Sequence, residues 1–134
     1  MNALDVYHEG QIEPIAECLA VALELATVIG SRVAADVDAV LVEWRSVNTD
    51  RAGSASHELP ALLVEQPVVN VSYVASCLAI SERTARSLVA TACGRDILQK
   101  MGNARRGAFY QAADLISVLE EASSLQGIRR IAAR

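Results

Sequence analysis

The chain has 134 residues, 52% of them hydrophobic, with one Trp, one Phe and three Tyr, and a formal net charge of -4. That length suits one domain or a helical module joined to a smaller one, and a core carried by Ala, Val, Leu and Ile favours helices packed closely through small side chains. No uninterrupted apolar run reaches the roughly 18 to 20 residues that cross a bilayer, and the start MNALDVYHEG has neither a basic nor an apolar leader segment, so a cytoplasmic protein without membrane contact is expected.

The first half begins with PIAECLAVALELATVI, Pro14 to Ile29, where Pro sits at a first helical position, Glu13 and Glu17 lie near the positive helix end, and apolar residues occur nearly all round. This helix is predicted to be largely buried. Gly30-Ser31 is expected to interrupt or bend it, and from Arg32 a second helix follows with Val33, Val37, Val40, Leu41 and Trp44 at helical spacing, ending near Val47. The two helices are predicted to form an antiparallel pair over residues 1–50. Two helices cannot cover so much apolar surface, so homo-oligomerisation through them is expected, with Trp44 buried. A polar, turn-rich stretch from Asn48 to Ser56 marks the boundary, with residues 51–58 as the linker.

After it the elements shorten. His57 to Glu65 reads as a helix stopped before Pro67, Val68-Val69 as a brief extended piece, and Asn70 as the cap of a helix carrying Val71, Val74, Ala75 and Leu78 on one face. Ser81 caps the next, with Ala85, Leu88, Val89 and Ala92 inward and Glu82, Arg83, Arg86 and Ser87 outward. Strands Ile97 to Met101 and Ala108 to Gln111 flank Gly102-Asn103-Ala104-Arg105-Arg106-Gly107, a hairpin with a basic tip. A last helix, Ala113 to Ala122, has Leu115, Ile116, Leu119 and Ala122 on one side. Residues 123–134 are expected to form a loose tail.

Two helices joined by a three-residue turn and followed by a hairpin are the parts of a winged helix-turn-helix. The fold class predicted is therefore mainly α: N-terminal antiparallel helices, then a winged helix-turn-helix over residues 59–122 with a small two-stranded β-hairpin. Ala75 is small where the helices cross, and Leu78 and Ile80 fill the space under the turn. Ala79 stands where many such turns have Gly, so a positive φ there would cost about 1 kcal/mol.

Charge separates the halves. Residues 1–60 hold ten acidic and three basic side chains, whereas residues 61–134 hold six acidic and nine basic, leaving the second half as the phosphate-facing candidate. In a major groove, Ser81, Arg83, Thr84, Arg86 and Ser87 would reach phosphates or base edges, with Asn103, Arg105 and Arg106 of the hairpin tip on the backbone or the minor groove. Double-stranded DNA is the expected partner and transcription regulation the expected setting. A protein partner is the alternative, because exposed Arg is usually only solvated and Glu82 would repel phosphate.

The segment LPALLVEQPVVNVSYVASCLAISERTARSLVATACGRDILQKMGNARRGAFYQAADLISVLE resembles the C-terminal winged-helix region of Fic-family proteins through Leu62-Leu63, Pro67, Ile97-Leu98 and Phe109-Tyr110. Tyr7, Glu9-Gly10 and Pro14-Ile15 are similar to the lead into that family's last helices. The family transfers AMP from ATP to a hydroxyl of a target protein, using His-Pro-Phe-x-x-Gly-Asn-Gly-Arg with the His as general base. That motif is absent. Gly102-Asn103-Ala104-Arg105 matches only its second half, Ile97 stands where the His would fall, and neither His8 nor His57 precedes Pro-Phe. The resemblance thus implies a C-terminal region without its catalytic core, either a binding domain or an interaction module of an AMP-transferring enzyme.

No Walker A loop, GxSxG or HExxH occurs, so no catalytic residue and no cofactor is expected. Cys18, Cys77 and Cys93 have no second Cys or His at ligand spacing. They are predicted to be buried free thiols, not metal ligands or a disulfide.

Overall fold

The structure is a computed structural model that describes residues 13–134. Tyr7, His8 and Glu9-Gly10 lie outside the described residues. The chain is mainly helical, with one small three-stranded antiparallel sheet. In order come α1 (Glu13–Val47), a 3-10 turn (Ala55–His57), α2 (Leu59–Glu65), β1 (Val68–Asn70), α3 (Val71–Cys77), α4 (Glu82–Gly94), β2 (Gln99–Met101), β3 (Phe109–Gln111), α5 (Ala113–Ser123) and α6 (Leu125–Ala133).

In place of the expected antiparallel pair, α1 is one continuous helix of 35 residues. Gly30 costs a helix only about 1 kcal/mol, and no Pro follows to remove a backbone donor. The polar side chains around it are satisfied within the helix, since Thr27 Oγ1 donates to the Leu23 carbonyl and Ser31 Oγ to that of Thr27, both at 2.9 Å. Nor is its first part buried: residues 16–28 are all exposed, including Leu19 at 59% and Leu23 at 68%. By length and composition alone, α1 is also long and apolar enough to cross a bilayer, although Glu17 and Glu24 interrupt its apolar runs.

The described chain divides into two compact units, one of residues 13–35 with 121–134, the other Asp36–Glu120. In the first, the stretch expected as a loose tail folds as α6. Ser124 caps it, its hydroxyl accepting from the Gly127 amide at 2.9 Å, and the Arg32 guanidinium donates to the Ile131 carbonyl. Gly127 is a close approach: a Cβ there would collide with the Glu121 carbonyl oxygen. Arg130 pairs with Glu121 at 3.1 Å.

The second unit holds the main core. Trp44, at 2% exposure, joins Leu59, Leu63, Val69, Val74, Val89, Leu98 and Leu115, so the C-terminal turns of α1 are part of this unit. Its burial as a core residue agrees with the apolar stripe ending there. The stretch read as a linker belongs to the same unit, with Ser56 buried and the Ala55–His57 turn leading into α2.

Both ends of the helix pair are closed by the same device. Beyond α3, Ile80 donates to the Ala75 carbonyl at 3.0 Å and Ala79 to that of Ser76 at 3.4 Å, with Ala79 at φ 51°. Beyond α4, Ile97 donates to Ala92 at 3.0 Å and Asp96 to Cys93 at 3.2 Å, with Asp96 at φ 59°. Each is a Schellman motif in which a left-handed residue satisfies the last carbonyls and the next residue, Ile80 or Ile97, turns back onto the core. The strained turn expected at Ala79 is therefore observed. Ala75 and Ala85, both buried, are small where the two helices pack.

The expected hairpin is present and gains a third strand. β3 is central, with Val69 opposite Tyr110 on one side and Lys100 opposite Tyr110 on the other. Two residues of strand-forming sequence could not announce this pairing. Gly102 at φ 66° and Gly107 at φ 62° bracket the hairpin tip, where the backbone needs left-handed angles.

Candidate nucleic-acid interface

The start of α4 is built by local sequence. Ser81 Oγ accepts from the Thr84 amide at 3.1 Å and shares a 2.8 Å hydrogen bond with the Thr84 hydroxyl. Both hydroxyls are thereby committed to the cap. Asn70 caps α3 in the same way, its side chain accepting from the Tyr73 amide at 2.8 Å.

From this frame α4 presents Glu82, Arg83, Arg86 and Ser87 as exposed residues, as its inward stripe of Ala85, Val89 and Ala92 requires. The hairpin tip, residues 102–107, is exposed throughout. Between the two lies a cleft of about 500 Å³, whose lining includes Ser72, Glu82, Arg86, Arg105, Arg106 and Tyr110. Three guanidinium groups and one carboxylate thus border one space. The carboxylate is held: Ser72 Oγ donates to Glu82 Oε1 at 3.0 Å. Among the described residues no ion pair involves Glu82, Arg86, Arg105 or Arg106, so none of these is neutralised by a paired side chain.

The eight residues singled out from sequence separate into groups. Arg86, Arg105 and Arg106 meet at the cleft. Thr84 and Ser87 instead border a shallower hollow of about 200 Å³ with Asp50, Ser54 and Thr91. Ser81 is a cap, and Arg83 and Asn103 are exposed but line neither space. The cleft also includes residues that were not singled out, Asn70, Ser72 and Tyr110. Asn70 was legible only as a cap and Tyr110 only as part of an aromatic pair. Glu82 repels phosphate as the sequence suggests, yet its place four residues before Arg86 puts both on one helix face.

Chemically, such a space attracts anions and offers both donors and an acceptor. Clustered unpaired guanidinium groups focus positive potential, and their planar forks match phosphate oxygens or the paired acceptors of guanine. The cysteines correct an expectation: all three are free, but Cys18 and Cys77 are exposed and only Cys93 is partly buried, where burial pushes its thiol pKa up. Cys18 lies on the uncovered part of α1 and Cys77 in the last turn of the short α3. No protein-family model and no curated protein matches the chain.

Proposed function

We propose that residues 59–122 form a winged helix-turn-helix that binds double-stranded DNA and performs no chemistry of its own. The observation that carries this reading is the cleft between α4 and the hairpin tip, where Arg86, Arg105 and Arg106 stand together without paired carboxylates. In this arrangement α4 enters the major groove while the hairpin tip lies along the phosphate backbone. The resemblance to the C-terminal region of Fic-family proteins supports it as a binding domain of such a protein, with transcription regulation as its setting. A fluorescence-anisotropy titration against mixed-sequence duplex at two salt concentrations tests it, because phosphate contacts make affinity fall with salt.

A second reading rests on a different observation. Leu19, Leu23, Ala26 and Gly30 follow one another at spacings of four, three and four, the seam of a helix that packs on another helix, and its two Leu are exposed. Glu17 and Glu24, two turns apart, lie together on a different side of α1. We propose a second copy of the chain as the occupant of that seam, since the small Ala26 and Gly30 let two identical helices approach closely. On this reading the chain is an interaction or dimerisation module.

A further inference from the structure

We infer that Glu82 and Arg86 together read a cytosine–guanine step in the major groove, with Glu82 choosing the cytosine and Arg86 the guanine; this rests on the duplex-binding reading above. The two residues are four apart in α4 and border the same cleft. Four residues of helix rise about 6 Å, a distance that two long side chains close to reach consecutive base pairs. Ser72 fixes one carboxylate oxygen of Glu82 by donating to it at 3.0 Å, which orients the group and leaves the other oxygen to accept.

The major-groove edges decide what that oxygen tolerates. Cytosine presents the N4 amino donor with no acceptor on its own major-groove edge, the nearest being O6 of its paired guanine, so it suits a carboxylate. Guanine presents two acceptors and thymine one, both repelled by negative charge. Adenine offers its N6 donor but places the N7 acceptor next to it. Arg86 has the opposite preference, because its fork of donors matches O6 and N7 of guanine. A carboxylate within a basic cleft weakens attraction to any phosphate. Its role is therefore selective: it lowers affinity for every duplex and lowers it least where cytosine lies opposite.

The test is selection from a randomised duplex library with the full chain, followed by anisotropy titrations of the selected and singly changed duplexes for the native chain, Glu82→Gln and Arg86→Lys. Gln keeps an acceptor for Ser72, and circular dichroism confirms that each variant folds. The native chain should select the cytosine–guanine step, with about a tenfold or larger loss when either pair is changed. Glu82→Gln should raise affinity for mixed duplex and move the cytosine position toward adenine, whose N6 and N7 suit an amide; Arg86→Lys should relax only the guanine position. Salt-sensitive duplex binding with no such step, or a cytosine preference that persists in Glu82→Gln, overturns the inference and leaves the DNA reading standing. Absence of salt-sensitive duplex binding overturns both.

Discussion

Arg95, just past the end of α4, grips Asp50 across 45 positions of sequence: Nη2 donates to Oδ1 at 2.8 Å and Nη1 to Oδ2 at 3.2 Å. Nη1 also reaches Asn48 Oδ1 at 3.2 Å, and His57 Nε2 lies 3.1 Å from the Asp50 carbonyl oxygen. The polar stretch after α1 is thus tied to the end of α4 by a two-pronged ion pair.

A pH dependence follows. Hydrogen bonding to Arg95, with a smaller contribution from Ser56, holds the Asp50 carboxyl at about 2, below its ordinary 3.8. A depressed carboxylate stabilises the fold above its unfolded pKa, and the stabilisation is lost as pH falls through the folded value. The native chain should therefore melt above Asp50→Asn by a constant margin from neutral pH down to about pH 4, with the margin closing toward pH 2. Thermal melts of both proteins across that range check this, and a margin independent of pH would contradict it.

Ala79 gives a second prediction. Its φ of 51° is left-handed, and the Schellman bonds hold it there. Ala79→Gly should stabilise the chain by about 0.5 to 1 kcal/mol, since the relief of Cβ crowding outweighs the greater freedom of unfolded glycine. Ala79→Val should destabilise it. Urea unfolding followed by the fluorescence of Trp44, the sole Trp and a core residue, measures both.

Much of this local chemistry was legible in sequence because it is local. The Asn70 and Ser81 caps, the inward stripe of α4, the strained Ala79 and the hairpin around Gly102 and Gly107 each depend on a few consecutive residues. What sequence missed depends on partners far along the chain. β1 is a strand only because β3 lies beside it, and Asp50 looked like part of a linker until Arg95 was brought to it. The continuity of α1 was missed for another reason, since Gly-Ser weakens a helix without stopping it. At the candidate site the arginines were legible by charge, but their meeting with Ser72 and Glu82 required the turn geometry that folds α3 against α4.

The exposed seam of α1 predicts self-association. Light scattering should give a mass above that of a single chain at tens of micromolar. Leu19→Glu with Leu23→Glu should return it to one chain while the Trp44 emission stays that of a buried indole. A native chain that remains single at these concentrations would remove the second-copy reading.

Catalytic silence is a fourth prediction, motivated by Ile97, Leu98 and Gln99 standing where His-Pro-Phe would fall. Incubation with labelled ATP and candidate target proteins should yield no AMP-modified product. A modification that survives purification and disappears on changing one residue of this chain would overturn it.

The central claim is tested most directly by the salt dependence of duplex binding in the native chain and in Arg105→Ala with Arg106→Ala. Each phosphate contact contributes nearly one unit to the slope of log affinity against log salt. With the acidic first half opposing binding, affinity for mixed duplex should be no tighter than about micromolar at physiological salt. The double variant should bind all sequences more weakly, with a slope shallower by about 1 to 2 units. If no duplex binds in a salt-sensitive manner, while a protein partner is captured through α4 and lost on Arg83→Ala, the DNA-binding account is wrong and the interaction-module reading replaces it.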